Sequence, residues 1–138
     1  MSASPTVPLR VALDTVIQTS TFFAGDKLYM EGSDALRGAA LPYVVFGTSV
    51  ESYEGMDRMN GQRRHENIVQ LKCWGADKNQ AELGYAELKT KLDEVLITVT
   101  GHGAQRGRLS KIADLAEPNP EIGGHQVVAR YRIVLQAA

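Results

Sequence analysis

Cysteine and histidine are scarce in this chain. Its 138 residues include one cysteine, Cys73, and three histidines. A single thiol cannot form a disulfide within the chain, and the scattered histidines show no zinc-ligand spacing. The composition therefore excludes a disulfide scaffold and predicts synthesis in a reducing, cytosolic compartment.

Long hydrophobic runs and charge of one sign are also lacking. The longest apolar run, Leu41–Phe46, is short and contains Pro42. Residues 1–10 lack a cationic start followed by an apolar stretch of roughly 7–15 residues, so we expect neither a signal peptide nor a membrane span. Fifteen Lys and Arg oppose 16 Asp and Glu, which leaves a net charge of -1. Any contact with a polyanion must therefore be local.

The remaining composition is that of one ordinary soluble domain, with 43% apolar and 22% charged residues. Residues 1–8 combine two Ser, one Thr and two Pro, and are predicted to form a flexible N-terminal arm. Residues 9–138 are predicted to form a single domain.

Hydrophobic periodicity predicts two helices and several strands. Apolar residues recur every three or four positions over residues 7–21 and 78–95, and Asp77 with Gln80 is typical of a capping box before the second helix. Strands are predicted at residues 28–30, 43–50, 63–74, 96–100, 104–117 (irregular) and 125–136. Loops or turns are predicted at residues 31–41, 51–62, 101–107 and 118–124.

The order of these elements indicates the α+β fold class. Each helix has one apolar stripe and the strands have one strongly apolar face, which favours two helices packed on one face of a mainly antiparallel sheet of four to five strands. The other sheet face is predicted to carry Gln70, Lys72, Arg130 and Arg132. That face must meet water, a partner subunit or a polyanion.

Cys73 is the first candidate for chemistry, because a catalytic thiolate needs a base within about 3 Å. His65 is eight residues away on the same predicted strand, roughly 26 Å, so these two cannot pair within the chain. His102 or His125 could approach through folding. We interpret Cys73 as a small buried hydrophobe of a strand.

Two further segments resemble ligand sites only superficially. Residues 101–107, GHGAQRG, have Arg106 where a dinucleotide-binding loop needs Gly, and they precede no predicted helix, so a plain turn is predicted. Glu51, Glu54 and Asp57 have no metal-ligand spacing, which predicts a solvated loop. No catalytic residue, metal or cofactor is therefore expected.

Basic residues cluster at two places in the sequence. One cluster is Arg58, Arg63, Arg64 and His65, and the other is Arg106, Arg108 and Lys111. DNA binding usually adds a helix or several aromatic rings to such a patch, and here only Tyr53 and Trp74 are near the first cluster. Arginines that are solvated or that bridge subunits are the preferred interpretation.

A family resemblance extends over most of the chain, about residues 9–136. It rests on the run Leu41–Gly47 (LPYVVFG), on Gly61-Gln62-Arg63 leading into a strand that ends at Trp74, on the helix at 79–92, and on the closing strand at 126–135. In order and spacing these segments resemble the tail-completion or tail-terminator proteins of long-tailed bacteriophages, of the lambda type.

The resemblance implies a structural virion protein and no enzyme. It implies a homo-hexameric ring at the head-proximal end of the tail tube, which stops tube polymerisation and offers a surface for head joining. The implied partners are other copies of the chain, the tail tube protein and a head-completion or neck protein, with DNA passing through the ring without specific binding. Assembly would take place in the cytoplasm of the bacterial host.

Candidate residues for the subunit or tube interface follow from the basic clusters, the long loop and the second sheet face. They are Tyr53, Met56, Arg58, Met59, Arg63, Arg64, Arg106, Arg108, Arg130 and Arg132. Arg58, Arg63 and Arg64 are expected to contact carboxylates of a neighbouring subunit. Residues 51–62 and 101–107 are expected to become ordered only on docking.

Three alternatives remain open from the sequence. A head-closure or neck-connector ring would share size and fold type, a small enzyme would use Cys73 or the acidic loop, and a DNA-binding module would show steep salt dependence.

Overall fold

A computed structural model describes residues 6–23, 27–31, 41–56, 63–116 and 124–137 of the chain. These ranges hold two helices and six strands: α1 (Thr6–Gln18), β1 (Leu28–Met30), β2 (Tyr43–Met56), β3 (Arg63–Gly75), α2 (Lys78–Leu92), β4 (His102–Ala104), β5 (Arg108–Ala116) and β6 (His125–Ala137). The predicted α+β class is confirmed.

The six strands form one mixed sheet with the order β1-β2-β3-β6-β4, and β5 also pairs with β6. β1 is parallel to β2, whereas the other pairs are antiparallel. The prediction of a mainly antiparallel sheet of four to five strands is therefore wrong. Residues 31–42 separate β1 from β2, and about a dozen residues is the length that a parallel crossover needs. A three-residue strand has too little pattern to reveal its direction.

β2 is longer than its sequence indicates. It continues to Met56 and pairs with β3 throughout, with irregularities in register after Phe46 and after Tyr53. The predicted loop at 51–62 is therefore wrong for residues 51–56, which are paired without a docking partner, while residues 57–62 lie outside the described ranges. Cross-strand hydrogen bonding accounts for a polar strand that has no apolar period of its own.

The opposite edge of the sheet is a strand interrupted in its middle. β4 and β5 both pair with β6, and between them the Gln105 backbone N–H donates to the Val134 carbonyl at 3.0 Å. The predicted turn at 101–107 is therefore wrong for residues 102–104, which pair with β6. The expectation that these three residues become ordered only on docking is wrong as well. The irregular strand expected at 104–117 is confirmed over residues 108–116 as β5, which has a register shift after Lys111, whereas residues 105–107 are not strand.

Residues 96–100 do not form the predicted strand. Ile97 and Val99 are buried, but only Val99 makes a bridge, to His102. Gly101 follows with φ of 79°, a left-handed conformation that glycine tolerates. The alternating β-branched residues thus reflect burial of Ile97 and Val99 in the hydrophobic core and not the pairing of a strand.

α2 begins where its cap predicts and ends earlier than expected. The Asp77 carboxylate accepts from the Gln80 N–H at 2.8 Å, and the Gln80 side chain accepts from the Ala76 N–H at 2.6 Å. The helix ends at Leu92 rather than at residue 95. Asp93 accepts from the Leu109 N–H, and Glu94 has φ of 58°, which is incompatible with a further helical turn.

α1 begins at Thr6, so residues 6–8 of the predicted arm are helical, while residues 1–5 lie outside the described ranges. Pro8 is compatible with a first turn because its missing N–H has no helical partner there. The helix ends at Gln18 rather than at residue 21, since the N–H groups of Thr19 and Ser20 bond three residues back.

Both helices pack on one face of the sheet, as predicted. The buried side chains there include Leu9, Leu13 and Ile17 of α1, Ala81, Leu88 and Leu92 of α2, and Val127, Ala129, Tyr131, Ile133 and Leu135 of β6. Gly84 allows α2 to approach β3 closely, since an added Cβ there would lie 2.4 Å from the Cys73 Sγ. Gly107, just before β5, leaves room for the Tyr131 side chain of β6, since an added Cβ would lie 2.3 Å from its hydroxyl.

Candidate assembly surface

The face of the sheet opposite the helices, called here the second face, carries the polar side chains of the central strands. Because Ala129 and Tyr131 are buried beneath the helices, Arg130 and Arg132 lie on the second face. The register places Gln70 of β3 beside Arg130. The predicted composition of this face is confirmed.

One end of the second face is aromatic. The rings of Tyr29 and Tyr43 meet edge to face with centroids 5.6 Å apart, and Tyr43 lies 6.4 Å from Trp74. Val45 and Val128 are buried in the adjoining positions. The Lys72 Nζ lies 2.9 Å from Glu31 and closes this end with an ion pair. The ring contacts and the ion pair at this end all join residues of the same chain.

The other end carries an arginine strip, defined here as Arg108, Arg130 and Arg132. Arg108 of β5 lies directly opposite Arg132 of β6. Arg132 pairs with Glu66 at 2.6 Å and Arg108 with Glu94 at 3.3 Å, although their side chains remain 56% and 76% exposed. Like charges directly opposite each other are unfavourable in a sheet. Repulsion between Arg108 and Arg132 therefore destabilises the folded state unless carboxylates neutralise the two charges.

The remaining predicted interface residues fall in two places. Arg106 is exposed between β4 and β5, next to the arginine strip. In the paired ends of β2 and β3, the backbone partners are Tyr53 with His65, Gly55 with Arg64, and Met56 with Arg63. Arg58 and Met59 lie outside the described residues. The sheet thus brings four of the predicted arginines together at β5 and β6.

An ionic cluster on the helix side was missed by the sequence reasoning. The Lys111 Nζ lies 2.8 Å from Glu82 of α2 and 2.6 Å from Asp114, whose other oxygen lies 3.3 Å from the His125 Nε2. Hydrogen bonding to Lys111 lowers the pKa of Asp114, and the bond to Asp114 raises the pKa of Lys111. This cluster ties β5 to α2.

The cluster could not be predicted from the regular alternation of side chains along a strand. Residues three apart, such as Lys111 and Asp114, point to opposite faces of a regular strand. The register shift between Lys111 and Ala113 brings both side chains to the helix side. The bulge, which the sequence indicates only as irregularity, therefore creates the ion pair.

Cys73 has the surroundings of a packing residue. Its side chain is buried, and burial raises the pKa of the thiol to about 12. Of the candidate bases, His102 contacts the Thr100 carbonyl and His125 contacts Asp114. A thiol with so high a pKa holds almost no thiolate at neutral pH, which argues against a nucleophilic role.

One cleft on the described surface is smaller than an ordinary ligand pocket. A cleft of about 160 Å³ lies between α1 and β1, lined by Arg10, Asp14, Leu28, Tyr29 and Met30, whereas small-molecule pockets are typically roughly 300–1,000 Å³. Within the described ranges, no group of three or more His, Cys, Asp or Glu residues could hold a metal ion. Neither described helix is long and apolar enough to cross a membrane.

The described part of the chain is a small α+β domain whose second face carries charged and aromatic side chains, a composition that also occurs at protein–protein interfaces. The sequence matches the family described as "Tail completion protein gp17" over residues 7–136. The chain belongs to that family of tail completion proteins. This confirms the resemblance drawn from residues 41–47 and the segments that follow them, and it argues against an enzyme.

A comparison with solved structures agrees with this assignment at the level of the fold. The chain is similar to one in the structure described as "Virion of native gene transfer agent (GTA) particle", with a TM-score of 0.62 and 17% sequence identity. The match covers 99% of this chain and 100% of that chain. None of the curated protein sequences compared with the chain matches it. The family match therefore supports a structural role in a phage tail, and the solved structure supports the fold.

Proposed function

We propose that this protein is a tail terminator subunit. Six copies of the chain form a closed ring at the head-proximal end of the tail tube. The ring stops tube polymerisation and offers the surface to which the head joins. Its partners are the tail tube protein and a head-completion or neck protein, and DNA passes through the ring without specific binding.

The observation that carries this proposal is the family match over residues 7–136, which leaves little of the chain unmatched. The similar chain in the gene transfer agent virion is covered over its whole length. Ring formation and tube termination extend the family assignment and are the part that needs testing.

The shape of the sheet is compatible with a ring. A closed ring uses heterologous contacts, in which two different patches of one subunit meet. β1 lies at one edge of the sheet, whereas β4 and β5 lie along the other. Each of these edges has an exposed apolar side chain, Met30 in β1 and Ile112 in β5. Two separate surfaces are therefore available for neighbouring copies.

We assign the predicted interface residues to these contacts. The arginine strip and Arg106 lie on β5, β6 and the residues before β5, and Tyr53, Met56, Arg63 and Arg64 lie in the paired ends of β2 and β3. Charge reversal of Arg63 should then weaken the ring while the monomer's stability changes by about 0.5 kcal/mol or less, as for surface changes. Loss of monomer stability would make Arg63 a folding residue.

Native mass spectrometry over a range of concentrations tests ring formation. A discrete closed species, with six copies expected, supports the proposal. A chain that stays monomeric at every concentration and also fails to bind tail tubes contradicts it. A ring that binds the head and not the tube would favour the neck-connector alternative, which shares size and fold type.

A further inference from the structure

Residues 95–99 run beside the outer edge of the sheet without forming a strand. This stretch, called here the edge segment, has four β-branched residues among its five, a composition that favours strands. It is held at both ends: the Glu94 N–H donates to the Gly107 carbonyl at 2.8 Å, and the Val99 carbonyl accepts from the His102 N–H at 3.1 Å. The edge segment therefore lies alongside β4 and the residues that follow it, on the side away from β6.

The middle of the edge segment has no backbone hydrogen bonds within the described part of the chain. None joins Leu96, Ile97 or Thr98 to a described residue, although backbone N–H and C=O groups are usually paired in folded proteins. Ile97 is buried, whereas Leu96 is 62% exposed and Thr98 is exposed as well. This alternation is that of a strand with one face on the core. The edge segment therefore presents backbone groups and an apolar side chain that make a strand edge a template for pairing.

The opposite edge of the sheet has an open stretch of backbone. β1 bonds to β2 through the backbone groups of Val44 and Phe46, and no described strand pairs with that side of β2 at residues 47–56. A register shift of one residue follows Phe46 and reverses which residues direct their backbone groups outward. Beyond the shift these are the odd-numbered residues of 49–53. Their outer side is called here the open edge of β2.

The edge segment and the open edge of β2 lie at the same end of the sheet, on opposite sides. Register through β3 sets residues 49–53 level with residues 131–135 of β6. β4, which lies beside the edge segment, pairs with residues 135–137 of β6. β5 offers a poorer edge, because it carries a bulge after Lys111 and bulges hinder pairing between sheet edges. Neighbouring copies placed edge to edge therefore bring the edge segment of one against the open edge of the next.

We infer that the edge segment is a strand-pairing site between copies, and that the open edge of β2 in the neighbouring copy occupies it. This inference rests on the proposed ring. Because the Val99 carbonyl faces β4, alternation turns the backbone groups of Leu96 and Thr98 outward, and pairing gives them partners. The contact is heterologous, since each copy gives its edge segment to one neighbour and its open edge to the other.

Amide hydrogen exchange tests this pairing with the unmodified chain, because it reports the hydrogen bonding of individual backbone N–H groups. The dilute monomer would be compared with the assembled form, either the isolated ring or the chain bound to tail tubes. We expect amides in the edge segment and at residues 49–53 to exchange at least tenfold more slowly after assembly. Residues 78–79, at the exposed start of α2, should change less than twofold. Unchanged exchange in the edge segment, or protection there without protection at 49–53, overturns the inference.

L96K tests the same contact by substitution, because a charge on an edge strand hinders pairing. Sedimentation velocity measures assembly, and we expect L96K to raise the concentration for half-assembly at least tenfold. L83K makes the same change at a leucine of α2 that is 53% exposed, and it should stay within twofold of the wild type. Circular dichroism checks that both variants fold, and the exchange measurement decides if L96K does not. Assembly of a folded L96K chain like the wild type overturns the inference.

The outcome for the wild type separates the two proposals. If the wild type is monomeric both alone and with tail tubes, the ring itself is wrong and the inference falls with it. If the wild type assembles while the edge segment exchanges as in the monomer, the ring stands and only this contact is wrong.

Discussion

Replacing Gly84 by alanine tests the packing of α2 on the sheet most severely. The added Cβ would lie 2.4 Å from the Cys73 Sγ, 3.1 Å from the Phe23 ring and 3.2 Å from the Phe22 ring. Ordinary contact begins at 3.4 Å, so α2 and β3 must separate by about 1 Å. The two rings also lie closer than ordinary contact, so they restrict movement of the methyl group away from the sulfur.

The magnitude follows from two opposing effects. Overpacking a well-filled core costs about 1–3 kcal/mol, whereas Gly to Ala in a helix interior recovers about 1 kcal/mol. We expect a net loss of about 1 kcal/mol, or up to ~2 kcal/mol, in the free energy of unfolding. For a domain of this size that lowers Tm by about 3–5 °C for each kcal/mol.

Urea denaturation followed by circular dichroism measures this loss. The matched control is Gly103→Ala, since an added Cβ there meets nothing within 4 Å. The double variant G84A/C73A should be more stable than the sum of the single changes predicts, because removal of the sulfur frees the space that the methyl group needs. Stabilisation by G84A alone, as helix propensity by itself would give, would refute the reasoning.

Three further predictions follow from the core, the cap and the ionic cluster. Cys73, with a pKa of about 12, should react with iodoacetamide at pH 8 on the order of 10³-fold more slowly in the native protein than in urea; equal rates would indicate an accessible thiolate. Asp77→Ala should cost about 0.5–2 kcal/mol by removing the α2 cap, and urea denaturation with an unchanged midpoint would contradict it. The fold lowers the pKa of Asp114, so its ionised form stabilises above the ordinary value of about 3.9, and that contribution is lost as pH falls through the lowered pKa. Asp114→Asn should therefore lower the urea midpoint at pH 7 but much less at pH 2; an equal loss at both pH values would show that ionisation is not the cause.

Elements with strong local signals could be predicted from the sequence. α2 carries a cap at Asp77 and an apolar stripe, and β6 alternates cleanly from Val127 to Leu135, so both were placed within a few residues. Cys73 follows the same logic, because its position in an alternating strand indicates burial. These features depend on neighbours in sequence or on one period.

Elements that depend on distant partners could not be predicted. Residues 51–56 extend β2 only because β3 offers them hydrogen bonds, and residues 96–100 lack a partner strand despite their β-branched side chains. The parallel direction of β1 is likewise set by tertiary packing. In each case non-local pairing overrides the local pattern.

The candidate surface shows the same division. Alternation along β6 correctly placed Arg130 and Arg132 on the second face. Their juxtaposition with Arg108 depends on the register between β5 and β6. The ionic cluster around Lys111 depends on a bulge and on the position of α2. Residue types could therefore be named from the sequence, but not which of them meet.

Tube growth with the purified chain present tests the central claim most directly. Tail tube protein would be polymerised with and without the chain, and tube lengths and ends would be examined by electron microscopy. The account predicts that small amounts of the chain arrest growth, with a ring visible at one end of each arrested tube. Tubes of unchanged length, with no density added at either end, would contradict it.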